Sequence, residues 1–257
     1  MNSVAGVPPD YFNENGQLWG MPVFNWKKME QEGFKWWLNR LHKNLEWFDL
    51  VRLDHFRGFS AYWEVSANEE TALNGKWVKG PGDSLFDAVK KRFPDMPFVA
   101  EDLGQIDQDV YDLRDKFQLP GMKVVQFGFG DNMPFLQHVP HNHTYNSIAY
   151  TGTHDNNTMN GWFRTEMDKA TKQRIEKYTG VKLKKKKCHT TFIRMAYASV
   201  SKIAIIPMQD WLGLNEKHRM NFPSTTSGNW LWRMDTSQWN KKLENAIQKT
   251  VKTYGRY

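Results

Sequence analysis

Apolar residues recur at Met29, Phe34, Trp37, Leu38, Leu41, Leu45 and Phe48, spaced by about three and four, and predict one amphipathic helix over Trp26 to Trp47. A short apolar run, Phe48 to Leu53, follows as a strand that ends at Asp54. The pattern then repeats. Ser84 to Phe93 reads as a helix with Ser84 as N-cap, and Phe98 to Ala100 as a strand ending at Glu101. Asp107 to Phe117 is helical and Met122 to Phe129 is a strand rich in Val and Phe. Ser147 to Tyr150 is a further strand, two helical stretches occupy Thr165 to Tyr178 and Thr190 to Ser199, and Lys202 to Pro207 is a strand of buried character. Gln238 to Tyr254 is the last helix.

Strand and helix in alternation imply parallel strands joined by helical crossovers. An open doubly wound sheet and a closed (β/α)8 barrel both satisfy that pattern. Asp54, Glu101, Asp131, Asp155 and the pair Gln209-Asp210 each follow one of five successive strands, the face on which barrel enzymes assemble their sites. No Gly-x-Gly-x-x-Gly turn opens a helix, which counts against a dinucleotide-binding sheet. The α/β barrel is therefore favoured, with five strands in view instead of eight. One segment falls outside the alternation. Pro8 to Gly20, rich in Gly, Pro and Asn, is too broken for a helix and too long for a tight turn, so it reads as a loop whose aromatics line a surface or cleft.

At 257 residues and 40% hydrophobic content, the chain suffices for one folded domain or a piece of a larger one. No apolar stretch approaches the roughly 20 residues of a membrane helix, and no signal peptide opens the chain, so neither membrane insertion nor secretion is expected. Cys188 is the only cysteine, which rules out an internal disulfide and fits a reducing cytoplasm. The net charge of +7 is concentrated in Lys182-Leu183-Lys184-Lys185-Lys186-Lys187 and nearby lysines. Without a phosphate loop or zinc finger this run reads as a solvated surface and not as a nucleic-acid patch. Aromatic residues make up 14%, enough both to fill a core and to leave faces for stacking on sugar rings.

Three acidic motifs carry the candidate chemistry: Val51-Arg52-Leu53-Asp54-His55-Phe56-Arg57, Phe98-Val99-Ala100-Glu101-Asp102-Leu103-Gly104 and Tyr150-Thr151-Gly152-Thr153-His154-Asp155-Asn156. A carboxylate nucleophile, a carboxylic proton donor and a third acid that holds ring hydroxyls are the set needed to break a glycosidic bond with retention. Arg52 projects to the same side of its strand as Asp54 and can keep that carboxylate ionised. Phe98 and Val99 begin the apolar surround that a proton-bearing Glu101 requires. Each motif alone has a structural reading: an ion pair at a strand end, acids at a helix N-terminus, or a turn.

Together with Gly6-Val7-Pro8-Pro9-Asp10-Tyr11-Phe12, Gly16-Gln17-Leu18-Trp19-Gly20, Pro120-Gly121-Met122, Pro207-Met208-Gln209-Asp210 and Gly228-Asn229-Trp230-Leu231-Trp232-Arg233, these motifs make the chain resemble the 4-alpha-glucanotransferases (amylomaltase, or disproportionating enzyme) of glycoside hydrolase family 77, in the alpha-amylase superfamily. The resemblance runs from about Val4 to Arg233. It implies Asp54 as nucleophile, Glu101 as general acid and base, and Asp155 as the third acid, with Arg52 and His154 beside them. Asp10, Tyr11, Phe12, Gln17 and Trp19 become acceptor-side residues, and Phe127 and Asp131 donor-side contacts. The implied reaction passes an alpha-1,4-glucan segment from Asp54 to the 4-hydroxyl of another sugar, with no cofactor and no metal. A hydrolysing alpha-amylase relative and a non-catalytic glucan-binding remnant are the rival readings.

Two departures stand out. The family commonly has Asp where this chain has Asn157, and Pro-Gly-Thr where it has Pro223-Ser224-Thr225. The family's first barrel strands have no counterpart, so residues 1–257 are expected to be the C-terminal part of a single catalytic barrel, carrying about its last five strands. Such a half barrel exposes strand edges and apolar faces, and is expected to be weakly stable and nearly inactive until the N-terminal half is supplied.

Overall fold

The computed structural model describes residues 2–9, 13–185 and 187–257. Two compact units divide the chain, Met1–Gly121 and Met122–Tyr257.

The first unit holds two sheets. Strands β1 (Ser3–Val7), β2 (Gln17–Pro22), β4 (Ala61–Ser66) and β5 (Lys76–Lys79) form a four-stranded sheet in the order β2-β1-β4-β5. The pairs β1–β2, β1–β4 and β4–β5 are all antiparallel. Val4, Val65 and Ala72 form its small core, with Trp63 donating from Nε1 to the Ala72 carbonyl at 2.8 Å. This sheet corrects the reading of Pro8 to Gly20 as continuous loop, because Gln17 to Gly20 lie in β2. Gly6 permits the hairpin: a Cβ there would stand 2.4 Å from the Gln17 carbonyl oxygen.

The second sheet of this unit pairs β3 (Val51–Leu53) with β6 (Phe98–Ala100) in parallel, Val51 opposite Phe98 and Leu53 opposite Ala100. Its core joins Leu53, Phe56, Phe98 and Ala100 to Phe34 and Leu41, to Leu85, Phe86 and Val89 of the helix Gly82–Arg92, and to Val110 and Leu113 of the helix Gln108–Lys116. The long helix expected over Trp26 to Trp47 is two helices, α1 (Trp26–Gln31) and α2 (Lys35–Leu45). Between them the Gly33 N–H bonds to the Glu30 carbonyl and the Phe34 N–H to the Met29 carbonyl, a Schellman ending with Gly33 at φ 66°. The break turns Phe34 inward, where it is buried. Ser84 is not an N-cap either. It lies inside its helix, and its hydroxyl donates back to the Pro81 carbonyl.

In the second unit β7 (Gly121–Val124), β8 (Ser147–Tyr150) and β9 (Ile203–Ile205) line up in that order, with β8 and β9 parallel and Ile148 opposite Ile203. The expected strand Met122 to Phe129 ends at Val124 and gives way to a 3-10 turn, Val125–Phe129, so Asp131 does not sit directly at a strand end. The helix expected over Thr165 to Tyr178 is Lys169–Thr179, capped by the Asp168 carboxylate accepting from the Thr171 N–H, and a separate helix, Met159–Thr165, precedes it. Strand β9 is shorter and less buried than expected, with Ile205 exposed. The helices Cys188–Ala198 and Lys169–Thr179 cover the sheet through Ile175, Phe192, Met195 and Ala196. The helix Lys241–Thr253 is tied back by Arg256, which donates to the carbonyls of Tyr197, Ser199 and Ser201. Of the lysine run, Lys182, Lys184, Lys185 and Lys187 are exposed, while Leu183 anchors the connection in the core. No helix among the described residues is long and apolar enough to cross a membrane.

Candidate active site

The ends of β3 and β6 present the first two acids. The Phe56 N–H donates to the Glu101 carbonyl and the Glu101 N–H to the Leu53 carbonyl, both at 3.1 Å, so the parallel ladder continues past the strands and fixes both residues. Arg52 and Asp54, two apart on β3 and its continuation, share a face, and Arg52 Nη2 donates to Asp54 Oδ1 at 2.5 Å. The Asp54 side chain is 77% exposed, whereas its arginine partner is largely covered. Glu101 is half-buried and each of its oxygens is engaged: Oε2 accepts from the His55 N–H at 2.7 Å and Oε1 from the Leu103 N–H at 3.1 Å. Burial pushes its carboxyl above the usual range; Arg52 and the two backbone donors pull it down, and the Asp54 charge pushes it up.

An exposed carboxylate held by a guanidinium beside a carboxyl whose pKa burial raises is an arrangement able to divide the work of a nucleophile and a general acid. Asp102, fully buried next to Glu101, is locked to Arg114 at 2.5 Å and thereby ties the end of β6 to the helix Gln108–Lys116.

Gln17 and Trp19 share one face of β2, with Trp19 Nε1 donating to Gln17 Oε1 at 3.2 Å. Trp19 meets the His55 ring edge-on at 4.7 Å, which brings the β2 residues to the residue that follows Asp54. His55 takes a left-handed backbone, φ 47°, and burial lowers its imidazole pKa, so the ring is neutral at pH 7. Asp10, Tyr11 and Phe12 lie outside the described residues.

The second unit carries His154 and Asp155 on the loop from Thr151 to Thr158 that links β8 to the helix Met159–Thr165. Thr153 and Asn156 close a turn within it: the Thr153 N–H and hydroxyl both donate to Asn156 Oδ1. His154 Nε2 stands 3.2 Å from Asp155 Oδ2, and Asn221 Nδ2 donates to Asp155 Oδ1 at 2.6 Å. Arg219 donates to the Asp155 carbonyl at 2.9 Å, and the Trp230 ring lies 5.2 Å from that of His154. Asn157 is buried and its amide donates to Glu166 Oε1 at 2.6 Å and to the Thr165 hydroxyl. An aspartate at 157 would face the Glu166 carboxylate, so the departure at this position suits its neighbour.

Phe127 and Asp131 have partners of their own. Phe127 packs edge-on against His138, and Asp131, almost fully exposed, pairs with Arg174 at 3.1 Å. Beneath the loop a cavity of about 200 Å³ is lined by Gly152, Thr153, His154, Gln209, Asp210 and Arg219 among others. Asp210 is not at a strand end as expected but buried in the short helix Met208–Trp211 that follows β9, where it accepts from the Thr151 hydroxyl at 2.6 Å and the Met159 N–H at 2.8 Å. Burial pushes its carboxyl up to about 6 against the pull of those two donors.

Trp230 belongs to a motif visible in the sequence, but the grip of Arg219 and Asn221 on Asp155 has no local signal. It is made through tertiary pairing, the Asn221 N–H to the His154 carbonyl and the Trp230 N–H to the Met220 carbonyl.

Residues 1–238 match the profile of the family described as 4-alpha-glucanotransferase, glycoside hydrolase family 77. The chain is 48% identical over 253 residues to the 4-alpha-glucanotransferase of Aquifex aeolicus, covering 98% of this chain and 51% of that protein. It is 45% identical to the chloroplastic/amyloplastic 4-alpha-glucanotransferase of Solanum tuberosum, covering 98% of this chain and 44% of that one. Among solved structures, amylomaltase from Streptococcus agalactiae in complex with acarbose superposes with a TM-score of 0.94 at 39% identity, over 99% of this chain and 51% of its own. The amylomaltase of Corynebacterium glutamicum shares the fold, with a TM-score of 0.76 at 17% identity. The chain spans about half the length of the curated relatives it matches.

Proposed function

The chain belongs to the 4-alpha-glucanotransferase family, glycoside hydrolase family 77, and its fold is that of the family's (β/α)8 enzymes; from that premise we propose that it transfers alpha-1,4-glucan segments between maltooligosaccharides with retention. Asp54 attacks the anomeric carbon as Glu101 gives its proton to the leaving oxygen, and the glycosyl unit rests on Asp54. Glu101, now a carboxylate, takes the proton of the incoming 4-hydroxyl, whose oxygen displaces Asp54 and restores the starting state. Asp155 and His154 bind ring hydroxyls as the third acid and its partner. Gln17 and Trp19, with Asp10, Tyr11 and Phe12, serve the acceptor side, and Phe127 and Asp131 the donor side.

The observation that carries this reading is the asymmetry of the first two acids: Asp54 exposed and paired with Arg52, Glu101 half-buried with a raised pKa. The reaction needs no metal or cofactor, and the single buried cysteine, Cys188, accords with a cytoplasmic setting.

The same proposal covers the rest of the barrel. Among the described residues β3 pairs only with β6, and β9 only with β8. Trp47, Phe48 and Leu50 before β3 are exposed, as are Val200 and Ile205 beside and within β9. Open strand edges flanked by large apolar side chains support a partial barrel, of which further strands complete the active enzyme.

Maltotriose incubation tests both statements, with and without the uncovered half of the Aquifex aeolicus relative as a separate polypeptide. Little glucose alone, a ladder of longer oligosaccharides on complementation, and loss of the ladder in Asp54→Asn are expected. Shortened products without longer ones would replace transfer by hydrolysis. A ladder from the chain alone would show that further strands are dispensable.

A further inference from the structure

We propose that Asp210 is the positioning residue of the loop that carries His154 and Asp155, one carboxylate gripping that loop at both of its ends. The inference rests on the reading of His154 and Asp155 as sugar-binding groups. The loop begins at Thr151, whose hydroxyl donates to Asp210 Oδ2, and ends where the Met159 N–H donates to Oδ1. Thr151, Met159 and Asp210 are all buried, so neither bond competes with water. The polypeptide after Asp210 reinforces the grip: the Leu214 carbonyl accepts from the Thr158 hydroxyl at 2.9 Å and the Gly213 carbonyl from the Asn160 amide at 2.8 Å.

Between these anchors the loop bonds within itself and to Arg219 and Asn221, and Asn157 donates to Thr165 and Glu166. His154 and Asp155 are themselves part-exposed, so packing alone holds them only in part. A carboxylate suits the task because it offers an acceptor oxygen to each of the two donors, whereas an asparagine has one acceptor oxygen and turns a donor NH2 toward the other. Burying a carboxyl is costly in itself. The two charge-assisted bonds that offset the cost are both spent on this loop and on no other segment.

Hydrogen–deuterium exchange of the whole chain tests the proposal at the Thr153, Asp155, Asn156 and Met159 amides, each bonded within the loop or to Asp210. Thr151→Val keeps shape and removes one bond, and should speed exchange at these amides about tenfold or more while the helix Cys188–Ala198 is unchanged. Thr151→Ser should return exchange to the parent rate, and Asp210→Asn, which loses an acceptor, should exceed Thr151→Val. The His154 ring chemical shifts, followed by NMR in the same variants, should move with Thr151→Val and return with Thr151→Ser, a readout that general loosening of the unit would not restore. Loop exchange within about twofold of the parent in both Thr151→Val and Asp210→Asn would overturn the proposal. Exchange is read whether or not the chain turns over maltotriose, so failure here and failure of the transferase reading are separate outcomes.

Discussion

Ser224 holds a left-handed backbone at φ 63°, at the position where the family commonly carries glycine. A side chain pays about 1 kcal/mol for that conformation, so Ser224→Gly should raise stability by up to about 1 kcal/mol, reduced by the looser unfolded chain. Denaturant midpoints of the two proteins measure it, and a lower midpoint for the glycine variant would contradict it. Asp210 gives a second expectation of known sign. Its carboxyl is raised from 3.8 to about 6 in the fold, so its contribution is complete below about pH 4 and lost as pH rises through about 6. The span of about two units corresponds to about 3 kcal/mol. Cys188, whose thiol burial and the nearby Asp210 charge push up to about 12, stays neutral throughout. Urea unfolding at pH 4 and pH 7 should therefore show Asp210→Asn with a pH slope shifted by about that amount, whatever its absolute stability. Equal slopes would show that the carboxyl is not desolvated as the structure has it.

Helices and strands differ in how far the sequence reveals them. The strands Phe98–Ala100 and Ser147–Tyr150 are found with their bounds unchanged, because short apolar runs buried on both faces carry their own signal. The sheet of β1, β2, β4 and β5 is not read, since its pairing joins residues as far apart as Ser3 and Ser66 and its strands carry Gly, Pro and charge. Periodicity also overruns the break after α1, because Phe34, Trp37, Leu41 and Leu45 keep the helical spacing and mask the five-residue gap from Met29 at which Gly33 reverses the chain. Of the candidate site, Asp54 and Glu101 are legible at strand ends, but the bonds that hold Asp155 come from Arg219 and Asn221, some 65 residues onward, and only packing brings them there. Gly33→Ala and Gly80→Ala separate two uses of glycine. A Cβ on Gly33 meets open space, so the cost is the left-handed backbone alone, about 1 kcal/mol. A Cβ on Gly80 would lie 2.3 Å from the Phe59 carbonyl oxygen and 2.7 Å from that of Gly58, and the segment entering the helix Gly82–Arg92 must shift. Gly80→Ala should thus cost several times as much in denaturant melts, and equal costs would remove the distinction.

Over the molecule as a whole, the two units place their buried titratable groups differently, and acid should act on them unequally. The first has a buried ion pair, Asp102 with Arg114, and the half-buried Glu101, whose raised pKa favours the protonated form. The second holds three histidines whose pKa burial lowers, His138 to about 3, His143 to about 4, and His189 in the helix Cys188–Ala198. His143 Nε2 lies 3.1 Å from the His138 carbonyl, which can only accept, so Nε2 carries the proton and Nδ1 faces the Ser201 hydroxyl as an acceptor. Protonation at Nδ1 would abolish that acceptor and bury a charge. The depressed pKa means that the stability contributed by neutral His143 is full above about 6.5 and is lost as pH falls through about 4. That is about 2.5 units, or about 3 kcal/mol, with His138 adding in the same direction. Asp210 has the opposite sign between about pH 4 and 6 and offsets only part of the loss. Residues 122–257 should accordingly lose protection between pH 7 and pH 4, seen as faster amide exchange, corrected for intrinsic rates, in the helix Cys188–Ala198. His143→Gln, which cannot take up a proton, should reduce that loss by about 3 kcal/mol, while exchange in the helix Gly82–Arg92 of the first unit responds equally to acid in both proteins. If the glutamine variant loses as much protection as the parent, His143 is already able to charge at low cost and the acid sensitivity must come from elsewhere.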